Sequence, residues 1–221
     1  MAIFMDENAV RREIIDTCIW MAENDMVIGT WGNVSVRLDG ERIILTPSRV
    51  DYYEMKPEDL AVIDYAGNKI SGGRSPTSEM HVHRLIYVRR DDVGAVVHCH
   101  PRYSSAMCAT GEGIPPILEE MSQLIGGGVP ITPEYAPAGK HMELAELVAD
   151  TIGDKNAALI RNHAPVCCGR DLREALVCCR IVEKAAACYL AIRGGFPALA
   201  IPPEHVESER HRYLYKYGME H

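Results

Sequence analysis

The stretch Gly94-Ala95-Val96-Val97-His98-Cys99-His100-Pro101 decides how this chain is read. Its apolar, β-branched run is a buried strand, and Pro101 stops it. Strand residues two apart share a face, so His98 and His100 point the same way and are able to share one ligand. On a helix the same pair would diverge by roughly 200°. Two imidazoles at a strand end are either two-thirds of an open three-histidine metal site or simply two surface histidines.

Outward from this stretch, a second apolar run, residues 157–163, ends in His163, which is the natural third ligand because it too ends an apolar strand. Upstream, Ser71 to Glu79 is a Gly/Ser/Pro-rich loop, and the spacing of Met80, Val82, Leu85, Ile86 and Val88 predicts a helix to about Arg89. Thr77 and Ser78 then lie at a helix N-terminus, where free N–H groups and the dipole favour an anion. Ordinary capping asks for the same residue types. Glu79 is the candidate carboxylate for proton transfer beside a metal, although an acid in a first turn also complements the dipole. His81 and His83 form another His-x-His, but inside the predicted helix, so they are not a chelating pair. Thr46-Pro47-Ser48-Arg49 is a loop of hydroxyls and one cation, readable as a plain turn or as an oxyanion contact.

The remaining elements follow from periodicity and punctuation. Asp6 caps a helix over residues 6–24; the glycine-containing loop from Gly29 feeds a strand through Leu38; Asp39-Gly40 turns into a return strand, residues 42–45. Further strands are expected over 60–63 and 166–169, and helices over 103–110, 141–152 and 171–192. Gly126-Gly127-Gly128 should let the backbone turn sharply or approach closely. From Glu204 the tail is charged and aromatic, with Tyr213, Tyr215 and Tyr217. No repeat or linker divides the chain, so residues 1–221 are read as one α/β domain, a largely antiparallel or mixed sheet covered by helices.

Composition narrows the partners. With 47% apolar residues the chain is able to bury a sizeable core, and its net charge of −8 argues against nucleic acid or an anionic membrane. An anionic substrate would need a local site. The N-terminus has no basic n-region or long apolar stretch, and no run reaches membrane-spanning length. Eight cysteines without a C-x-x-C indicate reduced thiols in a cytoplasm, with Cys178, Cys179 and Cys188 acting as small core residues.

Five segments jointly carry a family resemblance. They are Gly-Thr-Trp-Gly-Asn-Val-Ser (residues 29–35), Thr-Pro-Ser (46–48), Thr-Ser-Glu (77–79), Ala-Val-Val-His-Cys-His (95–100) and Asn162-His163. In order and spacing the chain resembles the zinc-dependent class II aldolase/adducin family over almost its whole length. The resemblance implies a three-layer α/β/α domain with a mostly antiparallel central sheet, and a homotetramer with active sites at subunit interfaces. It implies zinc, or manganese or cobalt, on His98, His100 and His163, with Glu79 as acid/base residue that also contacts the metal when substrate is absent. Thr30, Asn33, Ser48, Thr77 and Ser78 match the phosphate site, and Arg49 stands within it where the family has glycine. Tyr217 matches a catalytic tail tyrosine that reaches a neighbour's site.

The implied reaction is reversible cleavage of a ketose 1-phosphate into dihydroxyacetone phosphate and an aldehyde. Other aldolases, dehydratases and decarboxylases share the scaffold and the Glu. The related epimerases carry Asp where Glu79 stands, and the adducin head lacks the metal triad. Two further departures are Ala164 for a glycine after Asn162-His163, and Leu118-Glu119-Glu120-Met121 where the family places a catalytic tyrosine.

Overall fold

The computed structural model describes residues 6–216. Seven strands form one sheet in the order β4-β3-β2-β1-β5-β7-β6: β1 Asn33–Arg37, β2 Arg42–Leu45, β3 Ala61–Asp64, β4 Lys69–Ser71, β5 Ala95–His98, β6 Ala157–Leu159 and β7 Pro165–Gly169. Every adjacent pair runs antiparallel. Six α-helices cover it: α1 Glu7–Glu23, α2 Met80–Arg89, α3 Arg102–Thr110, α4 His141–Ile152, α5 Leu172–Arg193 and α6 Pro203–Tyr215.

The strand alternation produces the layers. On β5, Ala95 and Val97 join the core under α1, α3 and α5, while Val96 joins a second core under α2 and α4. Ile44 against Ile43 and Leu45 on β2, and Cys167 against Val166 and Cys168 on β7, split in the same way. Apolar side chains on both faces of each central strand therefore dictate helices on both faces, the α/β/α arrangement expected. Cys99 lies in the core opposite the histidines. Cys178 and Cys179 are fully buried, but Cys188 is only half-buried, a correction to its core assignment.

Helix ends follow their caps. Asp6 accepts from the Asn8 N–H and Asp171 from that of Glu174, which fixes the starts of α1 and α5. Gly126 (φ +91°) and Gly127 (φ +133°) both donate to the Met121 carbonyl and end a π-helical turn, Met121–Ile125. The segment from Glu204, expected only as a charged tail, is the helix α6. Pro203 opens it, and none of its residues is fully buried, although Val206, Arg210, Tyr213 and Leu214 on one face are half-buried. Arg210 fastens it by donating to the carbonyls of Gln123 and Leu124, at 2.8 and 2.6 Å.

Candidate metal centre and proton-transfer site

His98 is placed by sheet register. It pairs with Asn33 of β1 on one side and with Val166 of β7 on the other. Its Nδ1 donates to the Pro165 carbonyl at 2.8 Å, which leaves the Nε2 lone pair outward. His100 lies just past the strand, with its Nε2 3.0 Å from that of His98. His163 does not end a strand. β6 stops at Leu159, and His163 sits in the five-residue turn to β7, where Asn162 takes the left-handed conformation at φ +55°. Asn adopts that region more readily than most residues. The turn is closed by His163 N–H to Ile160 O and Ile160 N–H to Ala164 O, both 3.0 Å. The three ligand atoms all lie within 4.8 Å of one another.

Glu79 completes the group. Its Oε2 is 3.4 Å from His98 Nε2 and its Oε1 3.4 Å from His163 Nε2. Burial alone would raise its pKa, but His98, His163 and the Asn33 amide hold it down at about 2. Burial, followed by the neighbouring His98, pushes His100 down to about 3 and His163 to about 4. Those two imidazoles are thus neutral at pH 7 and offer lone pairs, with an ionised carboxylate beside them. That donor set fits a divalent metal with an open position.

Behind Glu79 runs a buried hydrogen-bond chain. Asn33 Nδ2 donates to Glu79 Oε2 at 2.8 Å. A carboxylate only accepts, so this fixes the amide, and Asn33 Oδ1 must accept from His83 Nε2 at 2.5 Å. His83 is fully buried and held neutral, its pKa pushed down to about 3 by burial and then by His98. Its Nδ1 therefore accepts from Ser35 Oγ at 2.6 Å. The Tyr87 hydroxyl, 2.9 Å from both Ser35 Oγ and Ser35 O, closes the chain. Donation runs toward the carboxylate from Ser35 Oγ through His83 and Asn33. His81 and His83 do not chelate together, as expected, but His83's role was missed. The available signal was its position one helical turn after Glu79, on the same face of α2.

Of the expected phosphate residues, Ser48, Thr77 and Ser78 occupy two loops joined to each other, and Asn33 lies in β1. Thr77 N–H donates to Thr46 O at 3.0 Å, Ser48 N–H to Ser75 O at 3.1 Å and Ser48 Oγ to Pro76 O at 3.0 Å. Thr77 Oγ1 accepts from the Glu79 N–H, and Ser78 is exposed. Glu79 is the N-cap residue of α2 rather than a first-turn residue. Thr30 is exposed in the turn before β1. Between them, Gly32 is held by Tyr52 through both its N–H and its carbonyl, and a Cβ there would fall 2.5 Å from Val27. Arg49 is exposed at φ +58°. Glu119 accepts from Gln123, Glu120 pairs with Lys184 at 2.5 Å, and neither touches the histidines. Tyr217 lies outside the described residues. No helix among the described residues is long and apolar enough to cross a membrane.

Residues 12–190 match the model of the class II aldolase and adducin N-terminal domain. L-fuculose phosphate aldolase of Escherichia coli K12 is 34% identical over 199 residues, 89% of this chain and 91% of that protein. A 5-deoxy-D-ribulose 1-phosphate aldolase of Bacillus thuringiensis is 28% identical over 200 residues, 90% of this chain and 92% of that one. A solved L-fuculose 1-phosphate aldolase superposes with a TM-score of 0.90 at 29% identity, covering 97% of this chain and all of the other. The chain belongs to the class II aldolase and adducin family, among its aldolases.

Proposed function

We propose that the chain is a zinc-dependent aldolase that reversibly cleaves a ketose 1-phosphate, such as L-fuculose 1-phosphate, into dihydroxyacetone phosphate and an aldehyde. The observation that carries this is the convergence of three imidazoles on a carboxylate held ionised at about 2 and anchored from behind by Asn33. His98, His100 and His163 would hold the metal, which when bound polarises the ketone oxygen as a Lewis acid. Manganese or cobalt would serve the same donor set.

In the addition direction, ionised Glu79 takes a C3 proton from dihydroxyacetone phosphate. The electron-rich C3 attacks the aldehyde carbon, and the aldehyde oxygen takes a proton to become the C4 hydroxyl. Cleavage reverses each step, and Glu79 returns the proton to C3. Thr30, Asn33, Ser48, Thr77 and Ser78 are proposed to bind the phosphate through hydroxyl, amide and backbone N–H donors, with Arg49 as an added cation. Such a site lets an acidic protein accept an anionic substrate. A cytoplasmic homotetramer, with each tail's Tyr217 acting in a neighbouring copy's site, completes the proposal. Size-exclusion chromatography with light scattering tests the assembly.

Similarity to the 5-deoxy-D-ribulose 1-phosphate aldolase favours that ketose phosphate as a second substrate candidate. The deciding experiment is a screen of ketose 1-phosphates coupled to detection of dihydroxyacetone phosphate. Release from at least one is expected, and release from none, by protein with a full complement of metal, would refute the proposal.

A further inference from the structure

A cavity of about 750 Å³ opens beside the triad, with His100 and His163 in its wall. That volume lies within the range of small-molecule sites and greatly exceeds what a short hydroxyaldehyde fills. None of the proposed phosphate residues lines it. A ketose phosphate held at the triad, with its phosphate on those residues, would have this cavity available to its other end. The wall is built largely from Met26, Val27, Ile28, Trp31, Pro101 and Tyr103. Trp31 packs edge-on to His100, ring centroids 6.1 Å apart, so its indole stands directly beside a proposed metal ligand.

The polar groups of the wall offer little to a polyol. Glu183 is occupied by the N–H groups of Tyr103 and Ser104 and by Ser104 Oγ, all at 2.8 Å. Asn24 donates its amide to the Trp20 carbonyl. Asp25 and Arg102 are exposed. Ser105 Oγ is buried without a hydrogen-bond partner among the described residues, which leaves one hydroxyl for a ligand. Large apolar side chains also stand open there, Ile28 at 81% and Trp31 at 70% exposure. An apolar chain laid against them gains burial, whereas each hydroxyl of a polyol brought there loses water without a replacement partner.

Resting on the aldolase reading, we propose that this cavity receives the aldehyde half of the substrate and selects an aldehyde whose chain beyond the carbonyl is apolar, an alkyl group rather than a polyol. The test uses metal-loaded full-length protein and dihydroxyacetone phosphate. kcat/KM for addition is measured with ethanal, propanal, butanal and 3-methylbutanal, and with glycolaldehyde, lactaldehyde and glyceraldehyde. Each added methylene is expected to raise kcat/KM by about fourfold at most, and alkyl aldehydes are expected to exceed hydroxylated ones of equal length. The alkyl-to-hydroxyl ratio should fall in Trp31→Ala and in Ile28→Asn. The second change lies at an exposed site that folding does not need, and a ratio within one variant cancels any general loss of activity. Preference for the hydroxylated series, or a ratio unmoved in both variants, would overturn the cavity assignment alone, provided wild-type protein exchanges the C3 protons of dihydroxyacetone phosphate. Absence of that exchange and of every addition would instead overturn the aldolase reading together with this one.

Discussion

The two sides of Glu79 are built differently. Behind it, Asn33, His83, Ser35 and Tyr87 form a chain in which all four residues are buried and hydrogen-bonded. In front, Thr30, Ser78, Arg49 and Trp31 are exposed on loops, and the joined segments at 46–48 and 75–77 bond mainly to each other's backbone. The difference separates two tasks. Moving a proton at a fixed atom requires a carboxylate that cannot rotate, and a sheet-and-helix frame supplies this. Choosing a substrate requires surface that varies without disturbing that frame, and loops supply it.

The buried side is where the largest effects are expected. His98→Ala should release the metal and abolish turnover, with elemental analysis of freshly purified protein as the check; a variant with full metal content would break the triad assignment. Glu79→Gln keeps shape and removes the base. Proton exchange on dihydroxyacetone phosphate, followed by NMR, should fall about 10²–10⁴-fold with metal retained. Next comes His83→Ala, which leaves Asn33 Oδ1 without its donor while Ser35 Oγ keeps the Tyr87 hydroxyl, a cost of about 1–3 kcal/mol in stability. A second effect separates positioning from bulk folding. With Asn33 loosened, one of the contacts that depress the Glu79 pKa weakens, so the acid limb of the exchange profile moves to higher pH. kcat should drop about 10–100-fold, as for other outer-shell partners of a metal site. His83→Gln, which still donates to Asn33, should recover part of both. An unshifted profile in His83→Ala would reduce the chain to structural support.

The same division explains what was legible in the sequence. The strand run ending at His98 and His100 was readable because alternation on β5 serves core packing and ligand direction at once. His163 was found for a partly wrong reason: it sits in a turn, placed by Asn162's left-handed backbone and not by a strand end. His83 carried only a weak signal, its place one turn after Glu79, because its partner Asn33 lies 50 residues away in sequence and only the packing of α2 on the sheet brings the two together. Helix α6 hid for the opposite reason. Its inward face, Val206, Glu209, Arg210, Tyr213 and Leu214, is only half-buried and partly charged, so apolar periodicity is weak, and polar contacts anchor it: Arg210 on the carbonyls of a π-turn and Tyr213 on Glu174. The cavity was invisible too, since its wall comes from the loop after α1, the start of α3 and the side of α5.

Acid should distinguish the two sides without a mutation. In the metal-free folded chain His100 and His163 titrate near 3 and 4, below the ordinary 6.5, so folding excludes protons that the unfolded chain takes up. Their neutral form is fully compatible with folding above about 6.5, and stability is lost as pH falls from there through 4 and 3. Glu79, held near 2 against an ordinary 4.5, acts in the same direction: its contribution is present above 4.5 and lost as pH falls through 2. Thermal melts of chelator-treated protein should therefore show Tm falling steadily from pH 6.5 to pH 4. Saturating metal should offset the fall in its upper part, because protons and metal compete for the same lone pairs. A Tm independent of pH over that range would contradict the buried, neutral histidines.

The smallest effect belongs to the exposed side, at Arg49. Its φ of +58° lies in the left-handed region, which glycine adopts freely, so the arginine holds a backbone shape that disfavours it. Relief of that conformation in Arg49→Gly is worth about 1–2 kcal/mol, and the added freedom of the unfolded chain takes back about 0.4–1 kcal/mol. The net gain should raise Tm by about 1–4 °C. No hydrogen bond or ion pair holds the guanidinium among the described residues, so its proposed partner is the substrate phosphate. An exposed ion pair of this kind carries at most about 1 kcal/mol. Arg49→Gly should then raise KM for the ketose phosphate by about two- to fivefold, more at low salt than at high salt, with kcat unchanged. A more stable enzyme that binds substrate less well would show that the loop side of Glu79 gives up stability for recognition, while the buried side gives up neither. An unchanged KM at low ionic strength would leave the phosphate to the hydroxyl and amide donors alone.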